Sequence, residues 1–193
     1  MQDIELEQAV EILLAHASPV TETEDVPLLD AVGRVAAEDI KAGFDNPPFD
    51  RSPLDGYTFA AASTRMATAE SPVTLRVVAE ECAGDFFAGT VGAGECVRIM
   101  TGGAIPKGCD CVVRQEDVRE DGDAIRIPFT SKPYENYCYA GEDIKKGTVI
   151  LRQGQIIHAA QIAVLASEGH ATVHVHRRVR VAVASTGDEL LQP

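Results

Sequence analysis

Tryptophan is absent from this chain of 193 residues, and all aromatic residues together make up only 5% of it. The core must therefore be built mainly from Val, Ile, Leu and Ala, side chains that pack well in short strands. Basic residues are also scarce: 17 Lys and Arg face 30 Asp and Glu, a formal net charge of −13. Such a field repels phosphate backbones and anionic headgroups, so neither nucleic acid nor a membrane surface is expected as a partner. A small anionic substrate remains possible where backbone N–H groups, a basic spot or a metal ion offsets the charge locally. No run reaches the ~20 apolar residues that a spanning helix requires. The opening MQDIELEQAVEILLAHA is acidic and amphipathic, without the apolar centre of a secretory leader.

The five cysteines, at 82, 96, 109, 111 and 138, are odd in number and irregularly spaced, which gives no disulfide framework. Free thiols in a reducing cytoplasm are expected. Cys109 and Cys111 have no second Cys/His pair to complete a zinc site, so they are expected to be buried strand residues. His174 and His176 would share one face of a strand, but no third ligand is in view. The G-x-S-x-G, H-E-x-x-H and Walker A patterns are all missing, which removes the common hydrolase and NTPase routes.

What is present falls into blocks. Apolar side chains at Ile4, Leu6, Val10, Leu13, Leu14 and Ala17 predict a helix over 4–17, closed by Ser18-Pro19. A second helical pattern runs from Leu28 to Ala37, with Gly33 as its weak point. KAGFDNPPFDRSPLDG is loop. TLRVVAEECA, ECVRIMTG, DCVVRQEDV and AIRIPF follow as short β-rich runs separated by Gly, Pro and Asp, which suggests a small barrel or sandwich. After a Lys145-Lys146-Gly147 turn come a strand, a helix from Ala159 to Glu168 with Gly169 beyond its end, and the alternating strand ATVHVH. RVRVAVASTGDEL reads as the first strand of an α/β domain that this chain does not complete.

Four polar loop clusters stand out: Asp50-Arg51-Ser52 with Asp55, Thr101-Gly102-Gly103, Gly141-Glu142-Asp143, and Ser185-Thr186-Gly187-Asp188-Glu189. Glycine beside Thr or Asp lets backbone N–H groups approach an anion, and loop carboxylates suit Mg2+. Taken singly, each cluster is a weak signal, and Asp55-Gly56, Thr101-Gly102 and Glu142-Asp143 read first as turns; Asp-Gly is among the commonest turn dipeptides.

In chain order the clusters resemble one family, MoeA, the molybdopterin molybdenumtransferases, homologous to the E domain of gephyrin. The resemblance rests on FDRSPLDGYTFAA, VRIMTGGAIPKGCDCVVRQEDV, GEDIKKGTVILRQGQIIHAAQIAVLASEG and RVRVAVASTGDEL, and spans nearly the whole chain. It implies an α+β, β-rich fold: a small β barrel or sandwich-like domain inserted into an elongated linker domain, plus the first strand of a missing α/β domain. The implied boundaries are 1–24 for an N-terminal helix, 25–43 with 143–177 for the linker and dimerisation domain, and 44–142 for the inserted β-rich domain. Residues 178–193 would open a truncated molybdopterin-binding α/β domain. The implied reaction inserts molybdate into adenylylated molybdopterin with release of AMP, assisted by Mg2+, in a homodimer whose site is shared between subunits. A truncated piece would be inactive alone.

By position, Asp55, Thr101, Asp143 and Glu189 carry over as catalytic residues, with Asp55, Asp143 and Glu189 also as Mg2+ ligands. Ser52, Gly102 and Asp188 carry over as substrate-binding positions. The same fold admits a non-catalytic dimerising scaffold or a tungstate-inserting enzyme. One departure is local. Many relatives have an arginine-rich run, suited to phosphate, just before the GED motif; this chain has ENYCYAGED there, with Tyr137, Cys138, Tyr139 and Ala140 in those places.

Overall fold

The computed structural model describes residues 4–82 and 84–183. In chain order these form α1 (Leu6–His16), β1 (Thr23–Pro27), β2 (Ile40–Lys41), β3 (Gly56–Phe59), β4 (Val73–Glu81) and β5 (Glu95–Ile99). Then come β6 (Cys111–Arg114), β7 (Arg119–Asp121), β8 (Ala124–Ile127), β9 (Val149–Leu151), α2 (Ala159–Ser167) and β10 (Thr172–His176). The fold is α+β and β-rich. Two compact units emerge, one spanning 42–148 and the other combining 4–41 with 149–183.

Unit 42–148 is built on a six-stranded sheet, in the order β6-β3-β5-β4-β8-β7, that curls into a half-barrel. Only β4 and β5 run parallel; every other neighbouring pair is antiparallel. Alternation sets the faces: Leu75 of β4 is buried between exposed Thr74 and Arg76, and its register partner Ile125 on β8 is buried too. The central strand β3 is buried along its whole length. Tyr57, Phe59, Leu75, Cys96, Cys111, Ile125 and Ile127 form the core. Burial pushes the Cys96 and Cys111 thiols up to about 12, so they act as small apolar fillers and not as nucleophiles. All five cysteines are free.

The other unit pairs β1 with β10 and β2 with β9, both antiparallel. Val26, Ala31, Leu151, Ile157, Leu165, Val173 and Val175 are its core. Helix α2 ends as the sequence predicts: Gly169 adopts φ +82°, its N–H donates to Ala166 O at 3.0 Å, and His170 N–H donates to Leu165 O at 3.0 Å. That pair of bonds is a Schellman cap.

The helix predicted over Leu28–Ala37 does not form. A 3-10 turn covers Leu28–Ala31, and Gly33 then takes φ +75°. The N–H groups of Gly33, Ala36 and Ala37 donate to Ile157, Gln155 and His174 carbonyls at 2.8, 2.9 and 3.0 Å. Pairing across the unit takes up the groups a helix would have used, and outweighs a weak local preference. The predicted N-terminal helix does form as α1, yet none of its residues is buried; Leu6, Leu13 and Leu14 are 74%, 71% and 68% exposed. No strand forms over 178–183, where no neighbouring ladder offers partners, and residues 184–193 lie outside the described residues. His174 Nδ1 sits 2.8 Å from Oδ1 of Asp25, its register partner, so this histidine ties β10 to β1. Among the described residues, no three His, Cys, Asp or Glu gather as a metal-binding set. No described helix is long and apolar enough to cross a membrane.

Candidate functional site

Gly56 is the first residue of β3 and pairs with Ile99 on one side and Arg114 on the other. A Cβ there would meet the Val113 carbonyl oxygen at 1.8 Å. The glycine of LDGY is therefore demanded by close backbone approach at a strand entrance, and the dipeptide is not a hairpin turn. Asp55 is presented immediately before this buried central strand, which fixes its position. Its Oδ1 accepts two hydrogen bonds from Thr101, from the backbone N–H at 2.7 Å and from Oγ1 at 2.6 Å. Thr101 follows β5, the strand paired with β3, so register brings the two residues together. The Thr101 hydroxyl, then its N–H, and then Arg98 nearby hold the exposed Asp55 carboxyl below the usual carboxylate range. Asp55 is thus a fixed anion at neutral pH.

The loop after Thr101 is fully pinned. Gly102 N–H donates to Ser52 O at 2.8 Å, Gly103 N–H to Met100 O at 2.9 Å, and Ile105 N–H to Asp50 O at 2.9 Å. Ala104 N–H donates to Oε1 of Glu81 at 3.0 Å. With Thr101 N–H on Asp55, the five successive amides all have partners within the chain, so this loop is not an open anion nest. Ser52 is buried; its N–H donates to Gly103 O at 2.9 Å and its Oγ closes a turn on the Leu54 carbonyl. Ser52 and Gly102 therefore shape the loops that carry Asp55 and Thr101. Glu81, at the end of β4, is a buried carboxylate whose pKa burial raises.

Asp143 stands on the adjoining loop. Its N–H donates to Asn46 O at 3.0 Å, and its Oδ2 lies 3.7 Å from Nη2 of Arg51. Segment 50–52 is the spine of the site. Arg51 bridges antiparallel to Ala104 on one side and to Cys138 on the other. Asp50 reaches across as well: Tyr137 OH donates to its Oδ2 at 2.6 Å and Ala140 N–H to its Oδ1 at 2.8 Å. Burial, and then this bond, push the Tyr137 hydroxyl pKa up, so it is a donor at neutral pH. Asp55 and Thr101 thus touch directly, while Asp143 joins them only through the 50–52 segment. Asp188 and Glu189 lie outside the described residues. Asp50 and Glu81 organise these loops; the sequence marks Asp50 as part of a polar cluster without a role and does not mark Glu81. Asp50 looks like one more loop acid, and the role of Glu81 comes from a long-range closure between β4 and the 100–105 loop.

A curled mixed sheet thus presents an aspartate–threonine pair between two braced loops. The family model described as the MoeA N-terminal region (domain I and II) matches residues 4–169. The chain belongs to the MoeA family. It is 39% identical over 189 residues to the molybdopterin molybdenumtransferase of Haemophilus influenzae, covering 97% of this chain and 45% of that protein. It is 41% identical over 168 residues to the Staphylococcus aureus protein of the same name, covering 86% and 40% respectively. Among solved structures, a molybdopterin biosynthesis MoeA protein from Pyrococcus horikoshii OT3 superposes with a TM-score of 0.82 at 41% identity. That match covers 88% of this chain and 45% of the other. The chain thus spans less than half the length of these relatives.

Proposed function

We propose that this chain supplies the Asp55–Thr101 part of a molybdopterin molybdenumtransferase site, which inserts molybdate into adenylylated molybdopterin with release of AMP. One observation carries this most directly. A carboxylate held ionised by two bonds from one threonine, at the motif matching the transferases, is a preorganised anion of the kind that positions a cation or a polar substrate. Mg2+ fits the donor chemistry, because it needs only one or two carboxylates beside water and phosphate oxygens. Asp55, Asp143 and Glu189 are the candidate ligands, Asp55 through the carboxylate oxygen that Thr101 leaves free. When bound, such an ion neutralises pyrophosphate charge and offsets the repulsion between anionic substrates and a chain of net charge −13. Thr101 fixes the free lone pairs of Asp55 in direction, while Arg51 holds Asp143 and keeps a positive charge beside it. A homodimer with its site shared between subunits belongs to the same proposal, and the uncovered apolar face of α1 supports an assembly of this kind.

The decisive variant is Asp55→Asn in the whole protein. Asparagine keeps an oxygen to accept both Thr101 bonds and removes only the charge. Molybdenum insertion is expected to fall by a factor on the order of a hundred or more, with the fold and the sedimentation mass unchanged. Turnover at the wild-type rate would sink the assignment.

A further inference from the structure

Three of the chain's four tyrosines lie within six residues, at 134, 137 and 139, on the loop that leads into Asp143. Their rings touch one another. Centroids are 5.4 Å apart for Tyr134 and Tyr137, 5.0 Å for Tyr137 and Tyr139, and 5.7 Å for Tyr134 and Tyr139. Aromatic side chains this close normally complete a core, but these do not belong to the buried cluster of unit 42–148. Tyr134 and Tyr139 remain 56% and 47% exposed. Their loop is nonetheless held firmly. Tyr134 N–H donates to Asp110 O at 2.6 Å, Asn136 Nδ2 to Val112 O at 2.9 Å, and Val112 N–H to Glu135 O at 3.0 Å. Tyr137 OH is fixed on Asp50, which also fixes Ala140.

Tyr134 and Asn136 adopt φ +62° and +49°. A bulky side chain is rare in that left-handed region and costs energy there. This backbone accompanies the contact of Tyr134 with Tyr137 and Tyr139.

We infer that Tyr134, Tyr137 and Tyr139 form a stacking platform for a planar fused heteroaromatic ring, a purine or a pterin, beside the Asp143 loop. This rests on the transferase reading for its choice of ligand, since adenylylated molybdopterin carries one ring of each kind. Tyrosine faces bind such rings by dispersion and quadrupole attraction, with little rotamer entropy to lose. Their alignment needs no positive charge, and so it operates in an acidic chain. Tyr137, tied to Asp50, holds the platform in place, while Tyr134 and Tyr139 offer the open surface.

The test uses the 193-residue chain with three probes: AMP, unsubstituted pterin, and ribose 5-phosphate as a control without a ring. Saturation-transfer NMR should place AMP or pterin on the protein through its ring protons and leave ribose 5-phosphate unbound. The absence of tryptophan leaves tyrosine emission free to report the same binding by quenching. Tyr139→Phe should bind like wild type, whereas Tyr139→Leu and Tyr134→Ala should each weaken binding on the order of tenfold. The Leu variant keeps apolar bulk and loses only the π face, so it separates stacking from packing. If neither ring compound binds, or if Tyr139→Leu binds as well as Tyr139→Phe, the platform is overturned. Preference for AMP or for pterin tells which ring it takes. Failure of the transferase reading looks different: the whole protein with Asp55→Asn would turn over normally while ring binding stayed intact.

Discussion

At the scale of single residues, Asp55 and Gly56 divide the work of one motif. Gly56 gives room against the Val113 carbonyl, and Asp55 offers a charge that Thr101 keeps ionised. Gly56→Ala is expected to cost about 1–3 kcal/mol or more in urea denaturation, because the clash is with backbone, which cannot rotate aside. Thr101→Val removes the larger of the two bonds that lower the Asp55 pKa, so the carboxyl should titrate nearer its ordinary value in a carbon-detected NMR titration. The sign follows from a depressed folded-state pKa. Stability from Asp55 is present above the ordinary carboxylate value, about 3.9, and is lost as pH falls through the lower folded value. In Thr101→Val that contribution should be smaller and its loss complete at a higher pH; an unchanged titration would mean that the hydroxyl is not what holds the charge.

At the scale of elements, β4 ends in a carboxylate that braces the next loop but one. Glu81→Ala would leave the Ala104 N–H without its acceptor in a buried setting, at a cost of about 1–3 kcal/mol by urea denaturation. Burial raises the Glu81 pKa, so its contribution has the opposite sign to that of Asp55. Its stabilisation is complete below the unfolded value and is lost as pH rises through the raised folded value. Glu81→Gln should flatten that part of the stability profile; a profile identical to wild type would refute the burial argument. Helices and strands with regular patterns were legible in sequence, as α1, α2 and β10 show. The stretch after Leu28 was not, because its amides bond to residues more than a hundred positions away. Periodicity cannot see such partners.

At the scale of the whole molecule, each unit carries its own core. Leu165→Ala, at a fully buried position of α2, is expected to cost about 2–5 kcal/mol in its own unit. Hydrogen exchange should then quicken at Val26, Val173 and Val175, while the amides of Val97, Val112 and Ile125 keep their protection. Equal loss of protection in both cores would show one cooperative block instead.

Sequence alone determined what depends on spacing and residue type. It set the β-rich character, the apolar stripe of α1, the Schellman glycine of α2, and the order of motifs that marks the MoeA family. Tertiary structure decided which loop residues meet. It closed Thr101 onto Asp55 through the β3–β5 register, threaded segment 50–52 between two loops, and gathered three tyrosines at the entrance to Asp143. The reason is physical: local pattern fixes which face a residue takes, but contacts between loops depend on strand register and sheet curvature, which belong to the whole unit.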